Sequence, residues 1–232
     1  MPTLTLNGVV VTYRVEVRPR RRTAAIQVDA EGRVTVLLPP GRTFSAARLL
    51  SDRAEWVVRH VEAALRRPPA PNLEPGCQLL FHGIPLSLDL APPGRRGWEV
   101  TRLGSRLVVG GPADDRAGRR RALALWYLRR AHEELTPMVA GHASRLNARP
   151  HRLRLADYRS RWGTCRADGL ITLNWRLVGA PEWVADYVAV HELIHLEHPD
   201  HQAGFQAALQ AALPEAELAR EWLREEGHRL HW

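Results

Sequence analysis

The sequence predicts an α+β fold, with a β-rich part up to about residue 112 and a second part, of strands and then helices, from about 113 to 232. Three observations lead to this. Up to about 110, most apolar residues come in short alternating runs closed by Gly, Pro or Asn-Gly, the pattern of short strands and tight turns. Residues 115–146 then read as one long helix of about nine turns. The last third reads as two short strands followed by three helices.

Each element has its own signal. Residues 3–17 alternate around Asn7-Gly8, a pair that accepts the positive φ angles of a two-residue hairpin turn. Residues 23–29 and 33–38 are two further strands, joined tightly at Glu31-Gly32 and ended by Pro39-Pro40-Gly41. Residues 45–67 read as one helix, with Ser45 or Ser51 as cap and Leu49, Leu50, Trp56, Val57, Val61 and Leu65 as its apolar stripe. A loop at 68–76 leads to strands at 77–81, 85–90, 98–102 and 106–109. The helix over 115–146 contains Pro137, which predicts an irregularity. Its basic run Arg116, Arg119, Arg120 and Arg121 is a solvated face or a phosphate-binding patch. Strands at 152–158 and 169–174 flank SRWGTCRADG, and helices follow at 181–198, 200–213 and 214–227. No internal repeat and no low-complexity tail stand out.

Composition limits the partners. The net charge is +8 and all 33 basic residues are arginine. Such a surface attracts anions, nucleic acid included. No segment has the roughly 20 apolar residues that span a bilayer, and the N-terminus alternates instead of showing a signal-peptide layout. A cytoplasmic protein with no membrane partner is expected. With only Cys77 and Cys165, a disulfide framework is not indicated, and two cysteines this far apart, neither in a CxxC, make a weak case for a metal site of their own.

The chemistry concentrates in HELIH, residues 191–195. Histidines four apart lie on one face of a helix, where both imidazoles can reach one zinc ion at about 2.0–2.1 Å. Glu192, about 100° round the helix, is then free to act as general base toward a water that the metal activates. Pro181 suits the first turn of that helix, and Glu182 and Asp186 suit its positive end.

A third ligand is expected, with His201 and His198 as candidates and Glu217 or Glu221 as outside options. His198 lies on the same stripe as His191 but about 10 Å along the axis at 1.5 Å per residue. Pro199 should end the helix. Asp200 can cap the next one with His201 in its first turn, so the turn brings His201 back toward the ion. This geometry favours His201. The outer histidines are spaced as in metzincins, but His198 stands where those proteins have glycine, and no Met-turn follows.

Two segments, SRWGTCRADGLITLNWRL (160–177) and DYVAVHELIHLEHPDHQAGF (186–205), resemble the YgjP-like metal-dependent hydrolase family, a metallopeptidase domain related to SprT-like zincins. The family pattern is close to RWGSC…LNWRL…HELxHxxxxxHxxxF, and Thr164 here replaces its usual serine. RRRTAAIQVDAEGRVTVLLPPG (20–41) extends the likeness to the N-terminal half. The resemblance implies a zincin-like C-terminal part, with a small sheet beside the HExxH helix, and His201 as third ligand.

The expectations are then specific. One Zn²⁺ per chain, or another divalent metal, is held by His191, His195 and His201, and Glu192 is catalytic. Arg161 and Trp162 are candidate substrate contacts, Arg161 toward an oxyanion or phosphate. Asn174 and Asp186 are candidate hydrogen-bond partners behind the metal histidines. Three functions fit: a metallopeptidase-like zinc hydrolase, a metal-dependent nucleotide phosphoanhydride hydrolase, and a nucleic-acid-associated module with structural zinc.

Overall fold

A computed structural model describes residues 1–232 except 30, 31, 42–44, 67–70, 95 and 96. Glu31 of the expected turn and part of the 68–76 loop lie outside the described residues. The fold is α+β, and it divides into two compact units, Met1–Pro69 and Ala70–Trp232. The division thus falls well before residue 112. The reason is packing: Leu79, Phe81, Leu88 and Leu107 share one apolar core with Leu123, Tyr127 and Leu135. Strands that looked like a continuation of the N-terminal part belong to the second unit.

In the first unit, β1 (Thr3–Leu6) and β2 (Val9–Val17) form the hairpin that Asn7-Gly8 predicts, with φ of 48° and 83° at the turn. β3 (Ala25–Val28) and β4 (Val34–Leu38) complete a sheet of order β1-β2-β4-β3, with β2 and β4 parallel. The single helix expected over 45–67 is two, α1 (Ala46–Ser51) and α2 (Ala54–Arg66). Ser45 caps α1 by accepting from Arg48 N, and α1 ends where Arg53 N bonds to Leu50 O, a tightened last turn. Leu50, Val57 and Val61 meet Leu6, Val11 and Val36 in this unit's core, whereas Leu65 stays exposed.

The second unit opens with the same sheet again. β5 (Gln78–Phe81), β6 (Ile84–Ala91), β7 (Glu99–Leu103) and β8 (Arg106–Gly110) run in the order β5-β6-β8-β7, with β6 and β8 parallel. Register repeats as well as order. Leu6↔Val9, Tyr13↔Val34 and Val28↔Val34 in the first sheet match Phe81↔Ile84, Leu88↔Leu107 and Arg102↔Leu107 in the second. Even the hairpin tip recurs, with His82 and Gly83 at φ 53° and 75° where the first has Asn7 and Gly8. An internal structural repeat is therefore present where the sequence showed none. Alternating strands tolerate nearly any apolar residue, so pairing geometry persists when identity does not.

α3 (Arg116–Arg145) is capped by Asp115, whose carboxylate accepts from Gly118 N. It runs through Pro137 without a break. Pro137 is on the exposed side, where water can serve the carbonyl that loses its partner. The basic run on α3 is split: Arg116, Arg120 and Arg121 are exposed, as a solvated face would be, and Arg119 is buried. Arg119 is 2% exposed and bonds to Leu73 O, Ala113 O and Glu74, while Arg116 and Arg121 pair with Glu74 and Asp115.

A three-stranded sheet follows: β9 (Arg152–Ala156), β10 (Gly163–Cys165) and β11 (Leu170–Asn174), in the order β10-β11-β9. β10, within the segment expected to be a connection, is antiparallel to β11 and forms one edge. α4 (Glu182–Ile194), α5 (Ala203–Ala212) and α6 (Ala216–Glu225) complete the unit. α4 is buried nearly all round, from Val184 to Ile194, which explains its tolerance of β-branched residues despite their helix propensity. No helix among the described residues is long and apolar enough to cross a membrane.

Candidate metal centre

α4 ends earlier than the sequence suggested. His195 is its C-cap, and the chain then turns through tightened bonds, Leu196 N to Leu193 O and Glu197 N to Ile194 O. His201 precedes α5 rather than sitting in its first turn. Asp200 does act there, but by accepting from Gln202 N in a local turn. The outcome for the site is the one expected: the turn at Pro199 brings His201 back over α4.

His191 Nε2 lies 3.2 Å from His195 Nε2 and 3.2 Å from His201 Nε2. Two nitrogens each about 2.05 Å from a tetrahedral ion would be about 3.3 Å apart. The three rings form a group whose ligand atoms lie within 4.8 Å of one another. Three imidazole nitrogens facing one point repel unless a cation or shared proton lies between them, so this donor set fits a divalent ion. Phe205 of α5 packs against all three rings, at 4.6–4.8 Å between centroids.

The rings are held from behind. His195 Nδ1 donates to the carbonyl of His198 at 2.9 Å, which fixes the tautomer that leaves Nε2 free for a metal. His198 thus acts through its backbone, and its ring is not in the ligand group. Tyr187 Oη lies 3.4 Å from His191 Nδ1. Burial, with help from His195, His201 and Arg220, pushes His191 down to about 4, so it is neutral, as a ligand must be. Glu217 and Glu221 pair with Arg220 and Arg224 at the surface and are not in the ligand group.

Glu192 is only 6% exposed. Burial raises its carboxyl to about 7, against the pull of Arg161. Gly163 of β10 passes directly over it: a β-carbon at Gly163 would lie 2.6 Å from Glu192 Cγ and Oε1. Between β10 and α4 runs a cleft of about 620 Å³, with Gly163, Thr164 and Cys165 on one side and His191, Glu192 and His195 on the other.

Two expected site residues have other roles. Asn174 is fully buried and does not touch the metal histidines. Its Nδ2 donates to Tyr158 O and Arg161 O, and its Oδ1 accepts from Arg176 N. Arg176 grips Asp157 with two bonds, donates to Leu230 O, and lies over Trp175 and Trp232. The LNWRL motif therefore clamps the 157–162 loop that delivers β10 to Glu192. Asp186 points to the far side of α4, where it pairs with His142 of α3. Asp186 precedes His191 by five residues, about 140° round the helix, so the two do not share a face.

Arg161 is exposed, with its guanidinium over the Tyr158 ring at 5.7 Å. Trp162 is half-buried and lines a smaller cavity beside His191 and Glu192. Sequence reasoning missed Tyr187, Gly163 and Arg220. Tyr187 was findable, because it precedes His191 by four residues and must share its face. Gly163 and Arg220 reach the site only through tertiary packing.

Three histidines that can share one ion beside a buried carboxylate define a metallohydrolase type of site. The chain belongs to the YgjP-like family, metallopeptidase domain, whose model matches residues 22–226. The protein is accordingly a metal-dependent hydrolase. Among solved structures, the metallopeptidase zymogen abylysin of Pyrococcus abyssi is similar at 19% identity and a TM-score of 0.37, over 40% of this chain and 95% of that one. No curated protein matches the chain.

Proposed function

We propose that the protein is a zinc-dependent peptidase of the HExxH type, with His191, His195 and His201 as metal ligands and Glu192 as general base and acid. The observation that carries this reading is the convergence of three Nε2 atoms beside a buried carboxylate. Zinc bound there would supply Lewis acidity and bring the pKa of a water to about 7.

The chain's own residues supply the rest. β10 pairs only with β11, and its outer edge carries no strand among the described residues. An extended peptide can add to that edge through the backbone of Gly163–Cys165, with its scissile carbonyl laid over Glu192. Glu192 takes the proton of the attacking water as the new C–O bond forms. It then gives that proton to the amine nitrogen as the C–N bond breaks. The absent side chain at Gly163 leaves the carboxylate room to work. The edge strand favours peptide over nucleotide, because a nucleoside triphosphate has no use for strand pairing. A cytoplasmic location is part of the same proposal, consistent with Cys77 and Cys165 as free thiols.

The test is a parallel screen of casein and nucleoside triphosphates with protein assayed for metal by plasma mass spectrometry. About one zinc per chain and casein cleavage are expected. Glu192→Gln should keep the metal and lose at least a hundredfold in turnover. Triphosphate hydrolysis without peptide cleavage, or undiminished turnover in Glu192→Gln, would sink the assignment.

A further inference from the structure

We propose that Arg220 and Tyr187 form a subsite for a carboxylate of the substrate peptide, next to the metal centre. This inference rests on the peptidase reading and adds a substrate class to it.

The subsite is a cavity of about 290 Å³, distinct from the β10 cleft but sharing His191 and Glu192 with it. Trp162, Tyr187 and Leu223 form its walls, and Arg220 of α6 lines it as well. A few hundred cubic ångströms is the size of a small ligand site or one large side chain.

The polar groups are matched to an anion. Arg220 Nε donates to Tyr187 Oη at 3.0 Å, and Nη1 donates to Glu217 Oε2 at 3.1 Å. Nη2 has no acceptor among the described residues. Glu217 is the more solvent-screened member of that pair, its side chain 76% exposed against 35% for Arg220, so part of the Arg220 charge still acts within the cavity. Tyr187 is also a donor in waiting. With His191 Nε2 turned toward the metal position, its Nδ1 carries the proton and faces Tyr187 Oη. The phenol oxygen then accepts from both Arg220 and His191, which leaves its own O–H without a partner.

Two unused donors, one on a guanidinium, suit the two oxygens of a carboxylate. Arg220 is itself fixed in place by Tyr187 and Glu217, so binding costs little side-chain ordering. The carboxylate comes from an acidic side chain near the scissile bond or from a free C-terminus close to it. Both present the same chemistry to Arg220.

Calorimetry on the zinc-loaded full chain carrying Glu192→Gln, which keeps peptides intact, tests the proposal. The probes are three acetylated hexapeptides: a neutral one with an amidated end, the same with a free C-terminus, and an amidated one with a central Asp. At least one carboxylate peptide should bind about tenfold tighter than the neutral one, and which one does so identifies the source. Adding Arg220→Gln should abolish that preference, and Arg220→Lys should keep part of it. Thermal melts confirm that the variants fold. Equal binding of all three peptides, no binding of any, or a preference that survives Arg220→Gln (zinc itself holding the carboxylate) would overturn the subsite. The peptidase reading fails separately, when the unmodified enzyme cleaves no peptide while binding them with this preference.

Discussion

Gly163 on strand β10 and Glu192 on helix α4 are packed so closely that no β-carbon fits between them: it would lie 2.6 Å from the Glu192 side chain. A strand edge and the buried Glu192 carboxylate thus share one small space. Gly163→Ala should leave zinc content unchanged, because the three atoms nearest the new methyl all belong to Glu192. Turnover should drop by at least tenfold as the carboxylate is pushed aside. Metal analysis beside a peptidase assay checks this, and unaltered kcat would show that Glu192 has other working positions.

Tyr187 holds His191 from behind through its hydroxyl. Partners of this kind typically contribute 10–100-fold to metal affinity. Tyr187→Phe should weaken zinc binding by about tenfold without unfolding the helix, as the ring's packing is kept. Competition with a chromophoric chelator reads the affinity directly.

Arg176 is 5% exposed and ties Asp157 and Leu230 O to the core under Trp175 and Trp232. Arg176→Met keeps much of the bulk but orphans the Leu230 carbonyl and releases the 157–162 loop. A loss of about 1–3 kcal/mol is expected, the usual penalty for an unsatisfied buried group. Urea unfolding of the metal-free protein would measure it, and a change under 0.5 kcal/mol would mean the clamp is dispensable.

His231 packs against Trp162, and burial, assisted by Arg176 and opposed by Asp157, lowers its pKa to about 4. The folded protein therefore holds this ring neutral. Above pH 6.5 both folded and unfolded chains carry it neutral, and its contribution is fully present. As pH falls from 6.5 toward 4, the unfolded chain takes up the proton first and stability is lost. Wild type should lose more stability than His231→Gln between pH 7 and 4.5, and thermal melts of both proteins would show the gap.

Much of this was legible locally. HELIH, the turn at Pro199 and the return of His201 depend on helix periodicity and on proline stereochemistry, which act over a few residues. The hairpin at Asn7-Gly8 was likewise a backbone matter. The errors were non-local. Asp186 and Asn174 were expected to be hydrogen-bond partners of the histidines, yet one faces α3 and the other clamps a loop. The boundary near 112 failed because strand composition does not say which core a sheet joins.

The sequence by itself determined most of the strand and helix segments and the placing of His191, Glu192 and His195 on one helix, because periodicity, capping and ligand spacing are properties of short stretches. Only the tertiary structure decided that β5–β8 repeat the first sheet in register, that Gly163 lies over Glu192, and that Arg220 joins Tyr187 beside the metal centre. Those relations join residues from 29 positions apart upward. They depend on which apolar faces are buried together, a choice made by the whole core and not by any one segment.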